Sequence, residues 1–223
     1  MSDIISQLKA LKLYGMADSY AELKSQGATG STSASMESSE WLIRHLVEAE
    51  STDRAIRSIN YQMHTARFPI HRNLAGFDFS QSKVDESLIE RLATMRFTDV
   101  AQNVVLVGGT GTGKTHLAIA LGRAAVETGH SVLFTSATAL LAALAKAETE
   151  GQLADRLLFY SKPKLLVIDE LGYLPFERRS AHLFFQLVAR RYERGSLLIT
   201  TNQLVTQWGT VFGDEVLAAA ILD

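Results

Sequence analysis

The 223-residue sequence contains no cysteine. That excludes a disulfide framework, a cysteine–zinc site and a catalytic thiol. No apolar run approaches the roughly 20 residues that span a bilayer. The longest candidate, Ala137 to Ala147, is interrupted by Thr138 and Lys146. The opening residues carry Asp3 early and lack the basic-then-apolar layout of a signal peptide, so a cytoplasmic protein is expected. The six histidines show no metal-ligand spacing such as H-E-x-x-H. Ser136 and Ser180 lie outside any G-x-S-x-G context, which sets aside covalent hydrolase chemistry. There is no internal repeat. An overall excess of positive charge is also missing: the net charge is −2, unlike the basic body of many nucleic-acid binders.

What is present divides into two patterns. Hydrophobic residues make up 47% of the chain, enough for a sizeable core. Ile4, Leu8 and Leu11, then Tyr20 and Leu23 after Gly15, fall at helical spacing. Residues 26–35 are rich in Ser and Gly and have no period, which predicts a loop. Trp41, Leu42, His45, Leu46 and Ala49 resume a helical stripe, and Ile56, Ile59 and Met63 carry it toward Arg67. Phe68-Pro69 stops it, because a residue before proline resists helical angles. Residues 1–67 therefore read as a small all-helical domain, 68–84 as a connector, and 85–223 as a second domain. In that second domain apolar strands at 103–107, 132–134, 164–168 and 197–200 alternate with helices. Continuous apolar strands alternating with helices predict an α/β fold with a parallel sheet covered on both faces.

The first of these strands leads into Gly108, Gly109, Thr110, Gly111, Thr112, Gly113, Lys114 and Thr115, which fits G-x-x-x-x-G-K-[ST]. The residue types match the chemistry of holding a triphosphate. Glycines let the backbone turn sharply and aim N–H groups at phosphate oxygens. The helix that follows offers its positive end to the same anion. Lys114 supplies a full charge to the β- and γ-phosphates, and the Thr115 hydroxyl can ligate Mg²⁺. The four specified positions match by accident in roughly one chain per hundred of this length, before strand and helix context are required. His116 is counted with the loop, although its side chain reads as structural.

The strand Leu165 to Ile168 ends in Asp169 and Glu170. Ligands of an open parallel sheet sit at the carboxyl ends of its strands. Asp169 then reads as an Mg²⁺ ligand and Glu170 as the acid that polarises attacking water. The plain alternative is an acidic pair capping the next helix. Asn202, after the strand ending at Thr201, reads either as a water-positioning amide or as a turn asparagine.

Charge is unevenly placed. Between Ser51 and Ala75 stand Arg54, Arg57, Arg67 and Arg72 against Asp53 alone, with His64 and His71. These arginines are candidate contacts to DNA phosphates; the plain reading is a solvated helix face. Arg190 and Arg191, like Arg178, Arg179 and Arg194, read as surface charges or as an interface.

The order of these pieces resembles the AAA+ ATPases, and within them the IstB-like helpers of insertion-sequence transposition, which are related to the DnaC helicase loaders. The resemblance rests on Leu11-Lys12-Leu13-Tyr14-Gly15-Met16, Arg67-Phe68-Pro69, Phe77-Asp78-Phe79, Gly111 to Ala118, Asp169 to Pro175, Thr200-Thr201-Asn202 and Gly213 to Val216. It implies a helical N-terminal DNA-binding domain ahead of an AAA+ core that binds ATP with Mg²⁺. It implies ATP-dependent self-association on duplex DNA and a partner transposase. In the family an arginine-bearing helix follows the equivalent of Ile221-Leu222-Asp223. Because such arginines accelerate related phosphate chemistry about 10³–10⁵-fold, this chain is expected to bind ATP and hydrolyse it poorly, with the C-terminal lid absent. Two other functions share the core motifs: a helicase loader that uses ATP as a switch, and a metabolic P-loop kinase. Glu170 beside Asp169, and Asn202 on the next strand, argue against the kinase.

Overall fold

The structure is a computed structural model that describes residues 4–25, 36–173 and 176–222. The loop expected at 26–35 lies outside them, as do Leu174 and Pro175 of the acidic motif. The chain forms two compact units, Met1–Tyr61 and Gln62–Asp223.

The first unit is helical: α1 (Ile4–Ala10), α2 (Tyr14–Ser25) and most of α3 (Met36–Thr65). α2 and α3 cross closely at Gly15, where an added Cβ would lie 2.6 Å from the Ala49 carbonyl oxygen. Only glycine tolerates that approach without a shift. The α3 helix ends two residues before Arg67, which takes a left-handed φ of 61°. Left-handed residues of this kind terminate helices by satisfying their last carbonyls.

The second unit is built on a parallel sheet of β1 (Val104–Val107), β2 (Val132–Ser136), β3 (Leu165–Leu171) and β4 (Ser196–Thr201), in the order β1-β4-β3-β2. The helices are α4 (Glu86–Ala93), α5 (Arg96–Asp99), α6 (Lys114–Glu127), α7 (Ala137–Thr149), α8 (Leu153–Ser161), α9 (Arg178–Arg191), α10 (Trp208–Phe212) and α11 (Glu215–Leu222). β3 and β4 are central, and their apolar residues are buried on both faces. That is why they read as uninterrupted apolar runs. Leu140, Leu144, Leu166, Ile168, Phe184, Leu187 and Phe212 pack into one core with them.

Two features of this topology position the site. First, β4 inserts between β1 and β3, so its carboxyl end lies between the glycine loop and the acidic pair. Gly108 N–H donates to the Thr201 carbonyl at 3.1 Å, fixing the loop's origin on β4. Second, residues 68–84 pack onto the core as two short 3-10 turns and extended chain. Phe68 lies against Gly122 of α6, where a Cβ would come within 2.8 Å of its ring. Phe77 covers Gly113 in the same way, at 2.5 Å.

Candidate nucleotide site

The loop Gly108–Gly113 leaves β1 and enters α6 at Lys114. Gly111 and Gly113 carry φ values of 77° and 85°, which side-chain-bearing residues rarely adopt. Gly113 is thus glycine for two reasons, its backbone angle and the Phe77 ring against it. No side chain caps α6 at Gly113, so its first N–H groups face the loop. Lys114 Nζ donates to the Gly109 carbonyl at 2.7 Å, which places the ammonium over the loop. Thr112 Oγ1 closes the same loop onto that carbonyl at 2.9 Å.

The acids come to this loop across 54 positions of sequence. Thr115 Oγ1 donates to Asp169, 2.9 Å from Oδ1 and 3.1 Å from Oδ2. Thr200 Oγ1 donates to the same Oδ1 at 2.5 Å. Asp169 is 7% exposed, whereas Glu170, the next residue, is open to solvent. Glu170 has a left-handed φ of 62°. A non-glycine residue held there costs on the order of 1–3 kcal/mol, and such strain gathers at functional sites. Asn202 is exposed and lines the same cleft as Thr110, Lys114, Thr115 and Glu170. Tyr173 also lines it, with its hydroxyl 3.3 Å from Thr110 Oγ1.

His116 turns away from the loop. Its Nε2 is 2.9 Å from the Asn73 carbonyl oxygen, and its ring meets Phe77 edge-on. The side chain therefore fastens the 68–84 segment to α6.

The arginine patch is altered by the structure. Glu50, one residue outside the stretch in which Asp53 was the sole acid, is buried in the first unit. Arg54 Nε donates to it at 2.7 Å, and Arg57 reaches both Glu50 and Asp53, at 3.4 and 2.7 Å. Arg57 also lies over the Tyr14 ring. The hydrogen bond from Arg54 leads the causes that hold the Glu50 carboxyl below its ordinary value, and the Met16 N–H at the start of α2 adds to it. Two arginines against two carboxylates leave that part of α3 without the expected surplus. Arg67 and Arg72 are exposed and belong to the second unit. Arg191 corrects a second expectation. It is 1% exposed, not a surface charge, and donates to five backbone carbonyls.

With this geometry in place, known proteins supply the family. The pattern described as IstB-like ATP binding protein matches residues 6–223. The chain belongs to the IstB-like family. Its relatives in that family include the insertion sequence IS5376 putative ATP-binding protein of Geobacillus stearothermophilus, 40% identical over 214 residues. That match covers 96% of this chain and 83% of the relative. Among solved structures, this IstB-like chain resembles the DnaC helicase loader, with a TM-score of 0.55 and 19% identity over 73% of this chain and 94% of that one. It also resembles AMPPCP-bound DnaA from Aquifex aeolicus, with a TM-score of 0.61 and 19% identity over 70% of this chain. It spans about half the length of that DnaA chain, 48%. Both likenesses concern the fold of the IstB-like core.

Among the described residues, no helix is long and apolar enough to cross a membrane. Sequence reasoning missed Thr200, Tyr173 and Phe77 as members or neighbours of the cleft. All three stand in stretches that carried the family resemblance, and Thr200 was also marked as a hydroxyl among the apolar residues of β4.

Proposed function

We propose that this chain binds ATP with Mg²⁺ in the cleft between the glycine loop and β3, assembles on duplex DNA in that state, and assists a partner transposase. The observation that carries the reading is the Thr115–Asp169 contact beside the loop. It brings together two hard oxygen donors from distant parts of the chain at the start of a helix. Mg²⁺ takes only one or two protein ligands and completes its shell with phosphates and water. The donor set suits it, and among the described residues no group of three His, Asp or Glu offers an alternative metal site.

In this reading, loop N–H groups and Lys114 hold the phosphates, and Thr115 and Asp169 hold the metal. The metal, when bound, neutralises charge on the β- and γ-phosphate oxygens. Glu170 orients and deprotonates the attacking water, and Asn202 holds that water beside the γ-phosphate. Among the described residues that line the cleft, Lys114 is the only cation. Hydrolysis is therefore slow in an isolated chain and calls for a second positive charge from a neighbouring subunit. Arg67 and Arg72, with Arg54 and Arg57 as weaker contributors, supply phosphate contacts to DNA.

The test is duplex-DNA binding with and without ATP for wild type, Lys114→Ala and Glu170→Gln. ATP should tighten wild-type binding. Lys114→Ala should remove that gain, and Glu170→Gln should keep it while ATP turnover is lost. Affinity should fall steeply with salt, because phosphate contacts release counterions. Binding to duplex DNA that ATP leaves unchanged would overturn the switch. A helicase-loader role shares the same cleft and is favoured instead if the chain grips a replicative helicase and ignores duplex DNA.

A further inference from the structure

Thr200 stands near the carboxyl end of the buried strand β4 and is 1% exposed. Its neighbours Leu197, Leu198 and Ile199 are apolar. Valine has the same shape and no hydroxyl to desolvate, so a buried threonine here needs its oxygen satisfied. The hydroxyl is used in both directions. It accepts from the Glu170 N–H at 2.9 Å and donates to Asp169 Oδ1 at 2.5 Å. The backbone N–H can only donate, so the hydroxyl proton is left for the carboxylate.

The strand register explains why these two bonds converge. Ile168 pairs with Ile199, and the next pair is Leu171 with Thr201. Asp169 and Glu170 together therefore face the single residue Thr200, which is a β-bulge. A bulge leaves one residue out of the ladder and redirects its side chain. Here it lets two consecutive acids serve one cleft, although consecutive residues of a regular strand point to opposite faces. Glu170 pays for this with its left-handed φ of 62°.

We infer that Thr200 is a positioning residue that staples this bulge, setting Asp169 and Glu170 in register with Thr115 and the glycine loop. The inference rests on the proposed nucleotide site, but the staple itself has a readout that needs no nucleotide. Amide hydrogen exchange at Glu170, ATP affinity in Mg²⁺ and in EDTA, and ATP turnover would be measured on the full chain. Thr200→Ser keeps the hydroxyl, Thr200→Val removes it at constant volume, and Thr200→Ala removes it at smaller volume.

Thr200→Val should speed exchange of the Glu170 amide about tenfold and leave the Val167 and Ile199 amides unchanged. It should weaken ATP binding in Mg²⁺, and lower turnover at saturating ATP, by about 10- to 100-fold. Affinity in EDTA should stay within twofold of wild type (about 0.4 kcal/mol). Thr200→Ser should restore all three. A folded Thr200→Val protein with wild-type Glu170 exchange and turnover would overturn the inference. So would collapse of both hydroxyl-free variants while Thr200→Ser folds, since the hydroxyl would then serve stability alone. If wild type takes up no nucleotide, the proposed function fails, and Glu170 exchange still decides on the staple.

Discussion

The two ends of the central sheet treat charge in opposite ways. At the amino end, Arg191 is buried where β3 and β4 begin, with its Nη1 and Nη2 on the carbonyls of Tyr160, Ser161, Pro163, Lys164 and Ser196 at 2.7 to 3.3 Å. Burial pulls its pKa down to about 10, so it is still a cation at neutral pH. Beside it lies a cavity of about 770 Å³ lined largely by apolar residues such as Val104, Phe185, Val188 and Ile221. At the carboxyl end, Lys114, Glu170 and Asn202 line a smaller cleft beside the left-handed backbone of Glu170. A guanidinium surrounded by carbonyls knits α8, β3, α9 and β4 together. A lysine over a glycine loop keeps donors that a phosphate can take.

That contrast can be broken or sharpened at three positions. The largest effect is expected from Arg191→Leu. It leaves buried carbonyls without donors and should destabilise the core by at least about 3 kcal/mol. Denaturant unfolding checks this, and the protein that remains folded should bind ATP normally. Next, Lys114→Ala should weaken ATP binding about 10- to 100-fold, the worth of hydrogen bonds to a charged group. Its melting temperature should stay within about 2 °C of wild type, because Lys114 is only half-buried and its one bond is to a loop carbonyl. The smallest effect runs the other way. Glu170→Gly relieves the left-handed backbone, worth on the order of 1–3 kcal/mol, against roughly 0.5–1 kcal/mol of extra chain entropy that glycine loses on folding. It should stabilise the core by about 1 kcal/mol while abolishing ATP turnover. A destabilised Glu170→Gly protein would remove the argument that strain is held at this residue for function.

Much of the carboxyl end was legible in the sequence. The glycine loop announces itself because close backbone approach and left-handed angles restrict those positions to glycine, with Lys114 and Thr115 at fixed spacing. Asp169 was legible because a continuous apolar run ending in an acid, downstream of a phosphate-loop motif, reads as a buried strand whose carboxyl end reaches the ligand side of the sheet. What was not legible depends on pairing across the fold. The bulge at Glu170 needs the register of β3 against β4, and Thr200 acquires its role only through that register. Phe77 over Gly113 and His116 on Asn73 join segments about 40 residues apart. Arg190 and Arg191 look alike in sequence, yet only the second points into the core. Arg54 and Arg57 were read without Glu50, one position outside the stretch, whose buried carboxylate takes both.

In the proposed function a nucleotide triphosphate is held by the loop between β1 and α6 together with Asp169. Titration calorimetry of ATP into the folded chain with Mg²⁺ tests it most directly. Saturable uptake approaching one nucleotide per chain, largely lost in Lys114→Ala, is the result expected. Wild-type protein that melts cooperatively and yet takes up neither ATP nor ADP would contradict it.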